Sequence, residues 1–175
     1  MIALSKMADH GVTVAVALAQ AELAPNHNVK TNVTAADLAL VTALPLPTVA
    51  KILKQLSHGG VVTSLRGVKG GYRLAEPPQQ ITVWQIMVAI DGDFSLTECS
   101  SHPNSAGQSP HECSRSPICQ IRPQWQKIDE VITAALKKIS LYEMIPLPQR
   151  LMIEPLPALH HRVAPHNIIQ SGLPS

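Results

Sequence analysis

The four residues Thr42 to Pro45 constrain this 175-residue chain more than any others. They separate two short runs with helical spacing, and a proline-bearing link of that length allows only a tight turn. On its amino-terminal side, Thr34-Ala35-Ala36-Asp37 has capping-box spacing with Asp37 in the usual Glu or Gln place, and opens a helix expected over 35–41. On the other side, Pro47 suits a first helical turn, where its missing N–H is not needed. That helix is expected to reach Ser57, where His58-Gly59-Gly60 supplies a left-handed stop. Two short helices joined by such a turn make a helix-turn-helix.

Val49, Ile52, Leu53 and Leu56 recur at helical spacing and are expected in the core. The intervening Thr48, Lys51, Lys54 and Gln55 then face outward and are the candidates for the major groove of DNA. Two β-rich runs follow, 61–66 and 72–74, around a glycine-rich tip, which reads as a hairpin. A hairpin directly after a recognition helix is a wing. The expected fold class is therefore mainly α with a small β-hairpin wing: a winged helix-turn-helix domain plus a long dimerisation helix. Arg66 and Lys69 at the wing tip suit phosphate or a narrow minor groove. Tyr72 on the returning strand joins the DNA-binding set.

Charge agrees with that placement. Residues 1–75 carry seven basic and three acidic side chains, a net of +4, whereas 76–175 carry seven basic and nine acidic, a net of −2. No carboxylate lies between Asp37 and Glu76, while five cations do, which predicts a polyphosphate-facing surface. Aromatic residues make up only 3%, so the core rests on Ala, Val, Leu and Ile, as in a first helix expected from its Ser5 cap to Leu23. No apolar run of about 18 residues occurs, and the first residues do not follow a basic stretch with a hydrophobic one, so a cytoplasmic location is expected. No Ser-His-Asp order, Cys-x2-Cys pair or phosphate loop points to an enzyme.

Thr82 is expected to cap a short helix through Ile90. Composition then shifts to Ser, Pro, Gly, His and Cys, and the chain's three cysteines, Cys99, Cys113 and Cys119, all fall in this stretch. An odd count in a reducing compartment argues against a disulfide framework and toward metal binding, catalysis or simple burial. Soft thiolates select zinc or an iron–sulfur cluster. With His102 or His111 they would complete a Cys3His zinc site, giving a zinc-stabilised winged-helix DNA-binding or interaction module without redox sensing. The x13 and x5 spacings exceed the short pairs of structural zinc knuckles and suit the larger cluster.

Periodicity returns with Ile121, Trp125, Ile128, Ile132, Ala135, Ile139 and Tyr142, spaced 4, 3, 4, 3, 4 and 3. This seam predicts one helix over 121–142 that needs a partner, either the first helix of the same chain or, in preference, a second copy in a homodimer. The expected organisation is a winged helix-turn-helix domain over 1–90 and a cysteine-rich cluster-binding loop over 91–120. A dimerisation helix over 121–145 and a flexible, non-helical Pro/His-rich tail over 146–175 follow.

Residues 1–147 resemble the iron–sulfur winged-helix regulators of the IscR and NsrR type, most closely regulators of the SUF cluster-assembly system. The features that carry this are IALSKMADHGVTVAVALA, LPLPTVAKILKQLSHGGVVTSLRGVKGGYRLA, and LTECS followed by CSRSPICQIRPQW. The resemblance implies that Cys99, Cys113 and Cys119 ligate an iron–sulfur cluster, [2Fe–2S] favoured over [4Fe–4S], whose state alters affinity for a double-stranded DNA operator. It also implies that Arg66, Thr48 and Lys51 touch DNA. Arg122 stands where the IscR type has a histidine ligand, and Asp9 falls where NsrR-like members supply an aspartate from the partner's first helix. Asp9 is accordingly the expected fourth ligand. The 13-residue spacing after Cys99 departs from the shorter one of many members.

Overall fold

A computed structural model describes residues 4–24, 32–67, 70–92, 120–147 and 150. Its elements run α1 (Lys6–Leu23), α2 (Ala35–Thr42), α3 (Leu46–His58), β1 (Val62–Leu65), β2 (Gly71–Leu74), α4 (Val83–Asp91), α5 (Arg122–Lys138) and α6 (Leu141–Met144). Among the described residues no single helix is long and apolar enough to cross a membrane.

Local signals start and stop most of these helices. The Ser5 hydroxyl accepts from the Ala8 N–H to open α1. Complete capping boxes open α2 at Thr34 with Asp37, and α4 at Thr82 with Gln85. At the end of α3 the Val61 N–H donates to the Leu56 carbonyl, with Gly60 at φ +73. This is a Schellman closure whose left-handed position glycine fills without a Cβ penalty.

One core joins the elements. Val14, Ala15 and Leu18 of α1 bury against Ile52, Leu53 and Leu56 of α3 and Ile86 and Ile90 of α4. The small side chains of α1 permit close approach: a Cβ on Gly11 would lie 2.8 Å from Cγ1 of Ile90. The hairpin pairs antiparallel from Val62 with Leu74 to Leu65 with Gly71. A bridge from Val33 to Tyr72 adds one residue of a third strand on its far side.

The expected helix over 121–142 is divided. Ile139 is extended, its carbonyl accepts from the Val83 N–H at 3.0 Å, and the Leu141 N–H donates to the Ile81 carbonyl at 2.7 Å. These bonds to the chain entering α4 compete with one more helical turn. Ser140 then opens α6 through its own capping box with Glu143. Tyr142 consequently packs on the core instead of continuing the seam.

The tail also departs from expectation at its start. Leu147 and Arg150 are helical, and the Arg150 N–H donates to the Pro146 carbonyl at 3.2 Å. A proline at the head of a helical turn gives up a donor that has no partner there anyway. Residues 151–175 lie outside the described residues, as do Cys99, Cys113, Cys119, His102 and His111.

Candidate nucleic-acid interface

The axes of α2 and α3 are bent 117° to one another, within the range of helix-turn-helix units. The turn is tight because Ala43 takes a left-handed conformation at φ 55 and Pro45 stands at the N-cap of α3. The Pro45 carbonyl accepts from the N–H groups of Thr48 and Val49. Hydrogen bonds from the Thr34 hydroxyl and backbone N–H hold the Asp37 carboxyl at the head of α2 below the usual carboxylate range.

Helix α3 divides into two faces. Val49, Ile52, Leu53 and Leu56 are fully buried, while Ala50, Lys51 and Lys54 are exposed and Thr48 is half-buried at the first turn. Gln55 corrects the expectation of an outward side chain: its Nε2 donates to the Ile90 carbonyl of α4 at 2.9 Å. The amide is drawn inward because α4 ends beside it and leaves a carbonyl to satisfy.

In the wing, Arg66 is exposed at the end of β1, and the Gly70 N–H donates to the Gly67 carbonyl at 2.8 Å to tighten the tip. Lys69 lies outside the described residues. Tyr72 is half-buried against the core, and its backbone exchanges two hydrogen bonds with Val33, at 2.8 and 3.0 Å. Its backbone thus ties the wing to Val33 while its ring packs against the core. Its neighbour Arg73, one step along the strand and so on the other face, is exposed. Strand alternation is the signal that points to Arg73, a residue outside the set expected from sequence. Lys51, Lys54, Arg66 and Arg73 form an exposed set of cations with no carboxylate between Asp37 and Glu76 to offset them.

A profile of the Rrf2 iron-dependent transcriptional regulators matches residues 4–146. The chain belongs to the Rrf2 family. It is a DNA-binding transcriptional regulator, not an enzyme, and its fold is the Rrf2 winged helix-turn-helix. A helix-turn-helix-type transcriptional regulator of Aquifex aeolicus is 30% identical over 116 residues, covering 65% of this chain and 76% of that protein. The IscR regulator of Photorhabdus laumondii is 27% identical over 119 residues, covering 68% of each. Among solved structures, CymR, the global cysteine regulator of B. subtilis, superposes with a TM-score of 0.57 at 21% identity, covering 82% of this chain and 96% of CymR. T. potens IscR gives 0.54 at 24% identity, covering 82% and 85%.

In this Rrf2 protein Asp9 stands in the first turn of α1, exposed, and its carboxylate has no partner among the described residues. It lines a groove of about 420 Å³ with Val12 and Val16 of α1, Val41 of α2 and Met144 of α6. An uncommitted carboxylate of this kind is a donor suited to iron or zinc. Among the described residues no three His, Cys, Asp or Glu side chains come together as a metal-binding group.

Helix α5 also has two faces. Asp129 is only 2% exposed and Leu136 packs beside Met87 and Val83 of α4. On the other side Ile128 is 43% and Val131 63% exposed. Val131 falls outside the predicted seam, which has Ile132 one residue later.

Proposed function

We propose that this chain is a dimeric regulator whose operator affinity is gated by an iron–sulfur cluster, and that it controls genes for cluster assembly of the SUF type. The observation that carries the DNA-reading half is the division of α3, with a fully buried apolar row behind and Lys51 and Lys54 in front. Those two lysines, Thr48, Arg66 and Arg73 are the proposed contacts, and Lys69 at the wing tip is placed with them on its sequence position. A regulator of this kind works in the compartment that holds the DNA, which places it in the cytoplasm.

The gating half rests on the resemblance of the cysteine-bearing segments LTECS and CSRSPICQIRPQW and on Asp9. Cys99, Cys113 and Cys119 would supply the thiolates, and Asp9 the fourth donor from the partner's α1. When bound, a [2Fe–2S] cluster supplies a cross-link that iron loss or oxidation dissolves. A carboxylate is a harder donor than a thiolate and makes such a link labile, as a sensor requires. The exposed apolar strip of Ile121, Ile128 and Val131 on α5 suits pairing with a second copy. Pairing would set the separation of the two α3 helices against half-sites about 34–36 Å apart.

Iron, sulfide and zinc analysis of the anaerobically purified protein tests the reading. Iron and sulfide in equal amounts, lost in Cys113→Ala, are expected. One zinc per chain in a colourless protein would favour the zinc-stabilised module.

A further inference from the structure

Helix α4 is fastened at both ends to elements with different duties. At its start, Thr82 bridges Ser140, and the Val83 N–H donates to the Ile139 carbonyl, which ties α4 to the corner between α5 and α6. At its end, the Ile90 carbonyl accepts from Nε2 of Gln55 on α3. The same turn meets α3 a second time, since a Cβ on Gly59 would lie 2.4 Å from that of Ala89. Immediately beyond, at Gly92, the described chain enters 93–119 with its three cysteines.

We infer that Gln55 is a positioning residue, coupling the last turn of α4 to the DNA-reading face of α3. Lys54 precedes Gln55 and Lys51 lies one turn earlier, so a displacement of the Ile90 carbonyl moves the helix that carries both cations. Ala89 against Gly59 makes the contact stiff in compression, and the Gln55 hydrogen bond makes it stiff in tension. One helix of about two and a half turns would thus transmit both the exit of the cysteine segment and the α5–α6 corner to α3. A device of this kind needs a discrete link between two packed elements, and the Gln55 amide is one that a single substitution removes. Its Oε1 is buried without a partner among the described residues, so Gln55→Leu removes one unpaired oxygen while it leaves the Ile90 carbonyl without this donor.

The inference rests on the gating reading, and the test separates the two. Operator affinity is measured for iron-loaded and iron-stripped full-length protein, wild type and Gln55→Leu, together with amide hydrogen exchange of the iron-stripped forms. The expected result is an iron-dependent affinity ratio reduced at least fivefold by Gln55→Leu. Exchange at Ala89, Ile90 and Gly92 should rise about tenfold, with α1 unchanged. Gly59→Ala, which wedges α3 from α4, should reduce the ratio in the same way. A wild-type ratio that Gln55→Leu preserves would overturn the inference. Should wild type show no iron dependence, the gating reading fails, and exchange alone decides the coupling. Unchanged protection at Ala89, Ile90 and Gly92 in Gln55→Leu would then refute it.

Discussion

The Glu22 carboxylate at the end of α1 accepts a 2.6 Å hydrogen bond from the backbone N–H of Leu74 on β2, across 52 residues of sequence. It holds the root of the wing on the helix that forms the floor of the core. A charge-assisted bond at a solvent-facing position contributes about 1 kcal/mol. Glu22→Ala is expected to lower stability by about that amount and to raise hydrogen exchange at Leu74 and Tyr72. Operator affinity should fall as Arg66 and Arg73 lose their fixed position. Unchanged exchange at Leu74 would show that the wing is held by Val33 and the core alone.

The exposed cations predict a salt signature. Lys51→Ala and Arg66→Ala should each weaken DNA binding and reduce the slope of log affinity against log salt by about 0.9 for every phosphate left without its cation. A base-reading role would instead relax sequence preference with little change in slope. Tyr72→Phe, which keeps the half-buried ring, should leave both unaltered. Titrations at several salt concentrations on operator and random duplex decide among these.

Helix α5 predicts a second effect, on assembly. Val131→Asp places a charge in the exposed apolar strip and should shift the protein from dimer to monomer in sedimentation. Glu130→Lys, a charge change at an exposed position about 100° round the helix from Val131, should not. A Val131→Asp protein that stays dimeric would move the interface elsewhere.

Acid should unmask the cap of α2. Bonds from Thr34 lower the Asp37 pKa in the folded state, so the unfolded chain binds the proton at higher pH than the folded one. The stability this carboxylate contributes is complete above its unfolded value of 3.8 and is lost as pH falls through the lower folded value. In urea titrations the advantage of wild type over Asp37→Asn should be constant near neutrality and shrink below about pH 4. A difference independent of pH would contradict this assignment.

The helix-turn-helix and wing were legible because their signals are local. Capping pairs at Thr34 and Thr82, Pro47, the Gly59-Gly60 stop and the glycine-rich tip each act within a few residues. Tertiary bonds were not legible. Gln55 looked like an outward polar residue because its acceptor, Ile90, is 35 residues away. The heptad spacing ran on through Ile139 because nothing nearby reveals that its carbonyl is claimed by Val83. Asp9 stands at the head of α1, as its sequence position implied, while the cysteines lie outside the described residues.

Operator affinity of anaerobically purified protein, before and after removal of iron by a chelator, tests the central claim most directly. The account predicts a change of at least tenfold that reloading with iron and sulfide restores and that Cys113→Ala or Asp9→Ala abolishes. Identical affinities for the two forms, in protein shown to have carried iron, would contradict it.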